Sequence, residues 1–111
     1  MIFETLWESS QRGELILLDG LFCHFHFRKD GQITIREIIS QKPGQGKKAL
    51  EILKSKSPVC IFAKCPAHLE SNNWYKKNGF ILVGNEISKT GKTINHWRLE
   101  ITNHGNAVQS V

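Results

Sequence analysis

Two groups of residues in this 111-residue chain have types and spacings that could do chemistry. The first is Gln41-Lys42-Pro43-Gly44-Gln45-Gly46, followed by Lys47 and Lys48. Its two glycines allow a sharp turn and a close approach of backbone to ligand. It stands between an isoleucine-rich stretch and a helical pattern. A helix opening there would offer unpaired N–H groups and the positive end of its dipole, a combination that suits phosphate. The same composition also makes an ordinary strand-to-helix turn. The second group is Cys23-His24-x-His26 with Cys60-x4-Cys65-x2-His68, which holds enough soft ligands for zinc. Strand alternation places Cys23 and His24 on opposite faces, Cys60 falls in a core strand, and no Cys-x2-Cys knuckle is present. No metal site is expected.

These residues need a scaffold, and the hydrophobic rhythm supplies one. Residues 2–9 could form one or two helical turns, and 14–18 read as a strand, although that apolar run would also suit a buried helix. Asp19-Gly20 is a hairpin turn, because type I′ geometry needs positive φ. Over residues 21–28, Leu21, Cys23, Phe25 and Phe27 alternate with Phe22, His24, His26 and Arg28, which is strand periodicity. Asp30-Gly31 turns the chain into a third strand over 32–40. The period then changes. Ala49, Leu50, Ile52 and Leu53 are spaced for a helix over 46–56, which Pro58 ends. Residues 59–63 read as a buried strand and 72–78 as a second helix closed by Gly79. Residues 80–87 and 93–101 form a closing hairpin. The order β-β-β-α-β-α-β-β predicts an α+β fold, mainly antiparallel, with a central parallel βαβ unit. Residues 1–102 form one domain and 103–111 a polar tail.

Hydrophobic residues are 40% and charged residues 23% of the chain, ordinary values for a globular domain, so disorder is not expected. The longest apolar stretch is too short to cross a bilayer, and no secretory leader pattern opens the chain. With three sparse cysteines, these features predict a cytoplasmic protein in a reducing compartment. The formal net charge of +5 comes from lysines spread over two helices, with no arginine-rich arm. It fits an anionic ligand as well as nucleic acid, which stays open as a partner.

Gln41-x-x-Gly44-x-Gly46 resembles the acetyl-coenzyme A signature of the GNAT-type N-acetyltransferase superfamily. Residues 72–80, Asn-Asn-Trp-Tyr-Lys-Lys-Asn-Gly-Phe, resemble its second hallmark, an aromatic-Tyr pair one helical turn ahead of Gly-Phe. The resemblance covers roughly residues 14–101. It implies an acetyl-CoA-dependent transferase acting on an amine, with acetyl-CoA as co-substrate. The backbone from Gln41 through Lys42, Pro43, Gly44, Gln45, Gly46 and Lys47 would cradle the pyrophosphate. The strand edge at Ile38, Ile39 and Ser40 would pair with the pantetheine amides. Tyr75 falls at the general-acid position, protonating the departing thiolate; its competing use is as a packing aromatic beside Trp74. Asn72 would hydrogen-bond the cofactor or N-cap its helix, the cap being the simpler use.

Transfer also needs a neutral amine, hence a base. Glu37 is the candidate: it shares a strand face with Ile33, Ile35 and Ile39, an apolar setting that would raise its pKa. A salt bridge to Arg28 is the competing use, and His24 and His26 could relay the proton. Family members begin with more structure than residues 1–12 can supply. The acceptor side is therefore expected to be open, or completed by a second subunit in a homodimer. An open groove favours a macromolecular amine, such as a protein lysine, over a small metabolite. A non-catalytic CoA- or partner-binding module and a nucleic-acid-binding or modifying protein are the alternative readings.

Overall fold

The structure, a computed structural model, describes residues 2–101; the tail expected over residues 103–111 lies outside them. The elements in chain order are α1 (Ile2–Gln11), β1 (Leu15–Leu18), β2 (Leu21–Phe27), β3 (Gln32–Ser40), α2 (Gln45–Ser55), β4 (Cys60–Pro66), α3 (Ser71–Lys77), β5 (Ile81–Ile87) and β6 (Thr93–Glu100). The six strands form one sheet in the order β1-β2-β3-β4-β6-β5. Among the described strands only β3 and β4 run parallel, with α2 as their crossover. The expected α+β order is therefore present, with α1 longer than one or two turns and β4 extending beyond Ala63 to Pro66.

The core lies on one face of the sheet. Leu21, Cys23 and Phe25 of β2 are buried, as their alternation requires, against Ile33 and Ile35 of β3 and Ile61, Ala63 and Cys65 of β4. The helical stripe Ala49, Leu50 and Leu53 of α2 closes this layer, each residue at most 2% exposed. Burying a leucine so fully is worth roughly 2 kcal/mol, so the strand and helix periodicities meet in one shared core. Phe27, at the strand end, departs from its face-mates and is exposed.

A β-bulge interrupts the β2–β3 ladder. Phe25 pairs with Ile35 but His24 pairs with Glu37, leaving Arg36 as the extra residue. One inserted residue reverses the faces of everything after it. Ile33 and Ile35 point into the core before the bulge, and Ile38 does so after it. Glu37 and Ile39 are thereby turned to the opposite face and are exposed. The expectation that Glu37 shares a face with Ile33 and Ile35 is corrected by this phase change. No helix among the described residues is long and apolar enough to cross a membrane.

Candidate functional site

The β3–β4 ladder begins at Gln32 with Cys60 and ends at Ile35 with Ala63. Beyond that pair β3 runs on to Ser40 and β4 to Pro66 without bonding each other. The sheet opens there, and β3 presents a free edge from Arg36 to Ser40. A free edge offers alternating N–H and C=O groups to any extended chain laid beside it. On the core side, Ile38, Ser40, Gly46, Ser71, Trp74 and Tyr75 line a cleft of about 180 Å³. It continues into a wider groove of about 670 Å³, which shares Ser40, Gly46 and Trp74 and runs past the glycine loop to Lys47, Lys77 and Asn78. Ile39 keeps its main chain on the free edge, but its side chain faces away from the cleft.

The glycine loop is anchored to the β1–β2 turn. Gln41 N–H donates to the Gly20 carbonyl at 2.7 Å, Gln45 Nε2 donates to the Asp19 carbonyl at 2.7 Å, and Lys42 Nζ pairs with the Asp19 carboxylate. Gly44 takes φ of 84°, a conformation that costs an L-residue ~1–2 kcal/mol. This turn lets α2 start at Gln45, with Gly44, Gly46 and Lys47 lining the groove. Gln45 and Lys48 N–H have backbone partners. Those of Gly44, Gly46 and Lys47 have none among the described residues. Of the N–H groups expected to act over Gln41 to Lys47, those of Gln41 and Gln45 are spent internally, and Pro43 has none. Gly46 is needed for another reason too. A Cβ there would lie 3.0 Å from Trp74 Nε1, so its absence lets the indole seat against α2.

Helix α3 is short, and two devices hold it. At its C-terminus, Phe80 N–H donates to the Tyr75 carbonyl at 3.0 Å and Gly79 N–H to that of Lys76 at 3.2 Å, with Gly79 at φ 92°. These are the paired bonds of a Schellman stop, and the Tyr75 and Phe80 rings meet at 5.1 Å, the apolar contact that accompanies it. Near its N-terminus, Asn72 acts as a junction. Its Nδ2 donates to the carbonyls of Pro66 at 2.9 Å and Leu69 at 2.7 Å, and its Oδ1 accepts from Asn95 Nδ2 at 3.0 Å and Trp97 Nε1 at 2.9 Å. Both expected uses of Asn72 are corrected. Glu70, not Asn72, occupies the N-cap position, and the Asn72 amide is committed to β4, β6 and its own turn, with no group to spare for a cofactor.

Tyr75 is 4% exposed, wedged among Trp74, Phe80 and Trp97, and still lines the cleft. Burial, with smaller contributions from the Cys65 and Cys23 thiols, pushes its phenol well above the usual range. Its hydroxyl has no hydrogen-bond partner among the described residues. The three cysteines are all buried free thiols; burial alone pushes Cys23 up to about 12.

Glu37 lies opposite His24 in the ladder, on the exposed face. The apolar setting expected around it is absent because of the bulge, and Arg28, its expected partner, binds Asp30 at 2.7 Å instead. His24 is held below the usual imidazole range by burial first and by Arg36 second. His26 is not beside the cleft: its Nδ1 meets Glu14 Oε2 at 2.9 Å. Glu14 was not foreseen. This buried carboxylate also accepts from Phe27 N–H at 3.0 Å and Arg12 Nε at 2.9 Å, tying the start of β1 to the end of β2. Burial pushes its pKa up, but the bonds from Phe27, Arg12 and His26 together hold it below the usual range. Nothing local in the sequence marks Glu14; its partners become visible only with the strand register.

No model of a known protein family matches this chain, and no curated protein sequence does. Solved structures do. A protein assigned to the GNAT acetyltransferases from Desulfovibrio desulfuricans superposes with a TM-score of 0.62 at 14% identity, over 74% of this chain and 61% of its own. A protein assigned as a streptothricin acetyltransferase from Bacillus anthracis, solved with acetyl coenzyme A, gives 0.59 at 15% identity, over 73% and 56%. This chain therefore spans less than two thirds of the length of either structure. At such identities the likeness is one of fold, and the fold is that of the GNAT acetyltransferases.

Proposed function

We propose that the chain binds acetyl-coenzyme A in the opening between β3 and β4 and transfers its acetyl group to an amine. One observation carries the reading. A free strand edge, unpartnered helix N-terminal N–H groups and a buried, unpartnered hydroxyl line a single continuous groove. That set fits a ligand with a polyanionic end, an extended amide-bearing arm and a reactive sulfur. The acetyl coenzyme A bound by the Bacillus anthracis neighbour supports it at the level of the fold.

The N–H groups of Gly44, Gly46 and Lys47 would take the pyrophosphate, with the charges of Lys47 and Lys77 beside it. The β3 edge at Ile38–Ser40 would pair with the pantetheine amides. When bound, the coenzyme supplies an acyl thioester at the inner end of the cleft. Tyr75 is kept protonated by its burial, and its hydroxyl donates a hydrogen bond toward the leaving sulfur. A proton fully given up by so weakly acidic a phenol must be regained within the same step. The exposed sheet face beyond the opening suits a protein lysine as the acceptor.

Calorimetric titration with acetyl-CoA and CoA tests the site. A Lys47→Glu, Lys77→Glu double variant reverses exposed charges without touching the core, and about tenfold weaker binding is expected or more. Tyr75→Phe should bind normally and turn over about 10²-fold more slowly with lysine peptides or polyamines. Absence of binding by the wild-type protein would sink the proposal. Binding without transfer across the amine panel would favour the non-catalytic module.

A further inference from the structure

We propose that His96, held in place by Glu86, takes the proton from the acceptor amine. The inference rests on the acyl-transfer reading above. It fills the role left open once the bulge removes the apolar setting of Glu37. Three side chains from three strands form the cluster. Glu86 Oε1 of β5 lies 2.8 Å from His96 Nε2 of β6 and 3.1 Å from Lys64 Nζ of β4.

The ladder places Lys64 at the opening, with His96 one strand and Glu86 two strands behind it. Lys64 is the first residue of β4 past the last β3–β4 pair, and its cross-strand partner on β6 is His96. The residues flanking His96 on β6, Asn95 and Trp97, both bond Asn72 of α3, so alternation turns His96 to the opposite face of the sheet. Tyr75 belongs to the α3 side. Proton donor and proton acceptor thus stand on opposite faces of the opening, which leaves the face that Tyr75 does not occupy for the approach of an amine to the acyl carbon.

The chemistry of the pair fixes its direction. An ionised carboxylate only accepts hydrogen bonds, so Nε2 of a neutral His96 carries the hydrogen and Nδ1 keeps its lone pair. Glu86 stays ionised, because the hydrogen bonds from Lys64 and His96 hold its carboxyl below the usual range. Lys64 reaches across β6 to β5, away from β3, and so leaves the mouth clear. His96 is partly exposed and lies edge-on to Phe62, with ring centroids 5.5 Å apart, which limits its rotation. The charged groups around it are Lys64 on β4, Glu86 on β5 and Arg98 on β6, the last engaged with Glu100. His24 and Glu37 stand across the opening on the same face.

In the step, an acceptor ammonium gives one proton to His96 Nδ1, which passes it to water. The freed nitrogen pair forms the C–N bond while the C–S pair leaves on sulfur. The second nitrogen proton passes to the Tyr75 oxygen as the phenol gives its own to sulfur, so Tyr75 ends the step protonated. An amide and a thiol are the products.

The test measures thiol release by the full chain with acetyl-CoA and a lysine peptide. His96→Ala should lower turnover about 10²-fold while acetyl-CoA affinity is retained, and imidazole added to the buffer should restore a measurable part of the rate. Glu86→Gln should lower turnover less and gain nothing from imidazole, since the ring is still present. His96→Ala turning over at the wild-type rate, or losing activity that imidazole leaves unrestored while affinity holds, would overturn the assignment of His96 alone. Wild-type protein that fails to bind acetyl-CoA would overturn the acyl-transfer reading and this inference with it.

Discussion

Replacing Asn72 separates a structural junction from a cofactor ligand. Asn72→Ala removes the hydrogen bonds to Pro66, Leu69, Asn95 and Trp97 together. A net hydrogen bond contributes about 1 kcal/mol, and a buried donor left unpaired costs roughly 1–3 kcal/mol. Trp97 is 6% exposed, so its indole N–H has little access to water as a substitute. Discounting the partners nearer the surface, which water can reach, the expected loss is about 2–4 kcal/mol. Urea unfolding followed by tryptophan fluorescence would read it. For a domain of this size the loss shifts the thermal midpoint by roughly 10–20 °C. Asn72→Asp should recover little, because a carboxylate keeps the acceptor for Trp97 but faces the Pro66 and Leu69 carbonyls without a donor. At a temperature where both proteins are folded, Asn72→Ala should bind acetyl-CoA within about threefold of wild type, less than the tenfold that 1.4 kcal/mol would represent. A stability change under about 0.5 kcal/mol, the range typical of an inconsequential surface site, would refute the junction. Unaltered stability with lost affinity would return Asn72 to the cofactor.

Two further outcomes follow from single side chains. Glu14→Gln should cost about 2 kcal/mol at pH 7, since it weakens charge-assisted bonds to Arg12 and His26 and brings an amide hydrogen against Phe27 N–H or His26. The folded-state pKa of Glu14 is depressed below 4.5, so its contribution is complete above that pH and is lost as pH falls through the folded value. The gap between wild type and variant in urea titrations should therefore close in acid below about pH 4.5, and a gap constant down to pH 2 would refute the account. Gly46→Ala should displace the Trp74 indole, 3.0 Å from the new methyl position, by a few tenths of an ångström, costing about 1–3 kcal/mol as overpacking does. Altered tryptophan emission should accompany the loss, and unchanged emission and stability would show that the groove tolerates the methyl.

The sheet and its helices were legible because their periodicities are clean. Leu21, Cys23 and Phe25 alternate without a break, and Ala49, Leu50 and Leu53 repeat at helical spacing. The bulge at Arg36 was not legible, for a particular reason. Ile38 and Ile39 are both isoleucine, so an alternation carried from Ile33 and Ile35 lands on Ile39 and looks uninterrupted. The phase slip that brings Ile38 inward instead is set by pairing with β2, and it alone decides which face Glu37 takes. Asn72 failed differently. A polar residue near a helix start suggests a cap, but its partners Asn95 and Trp97 lie 23 and 25 residues away, beyond any local pattern. The cluster of Lys64, Glu86 and His96 is scattered for the same reason, one residue on each of three strands.

The two motifs that pointed to a function also do structural work, and separating the two uses identifies what the fold leaves unexplained. Tyr75-x3-Gly79-Phe80 is the spacing of a Schellman stop: it requires a residue tolerant of φ 92° at Gly79 and an apolar pair at Tyr75 and Phe80. Phenylalanine at position 75 would satisfy all of that. The hydroxyl is what the stop does not require, and burying it without a partner costs roughly 1–3 kcal/mol. The glycine loop divides in the same way. The φ of Gly44 makes the turn and the missing Cβ of Gly46 seats Trp74, so both glycines have reasons that involve no ligand. The N–H groups of Gly44, Gly46 and Lys47 have no such reason, being neither bonded among the described residues nor needed by the turn. Each polar group left over by the structural account opens on the same groove. Two local motifs that merely stopped or started helices would have no cause to leave their spare donors along one continuous groove.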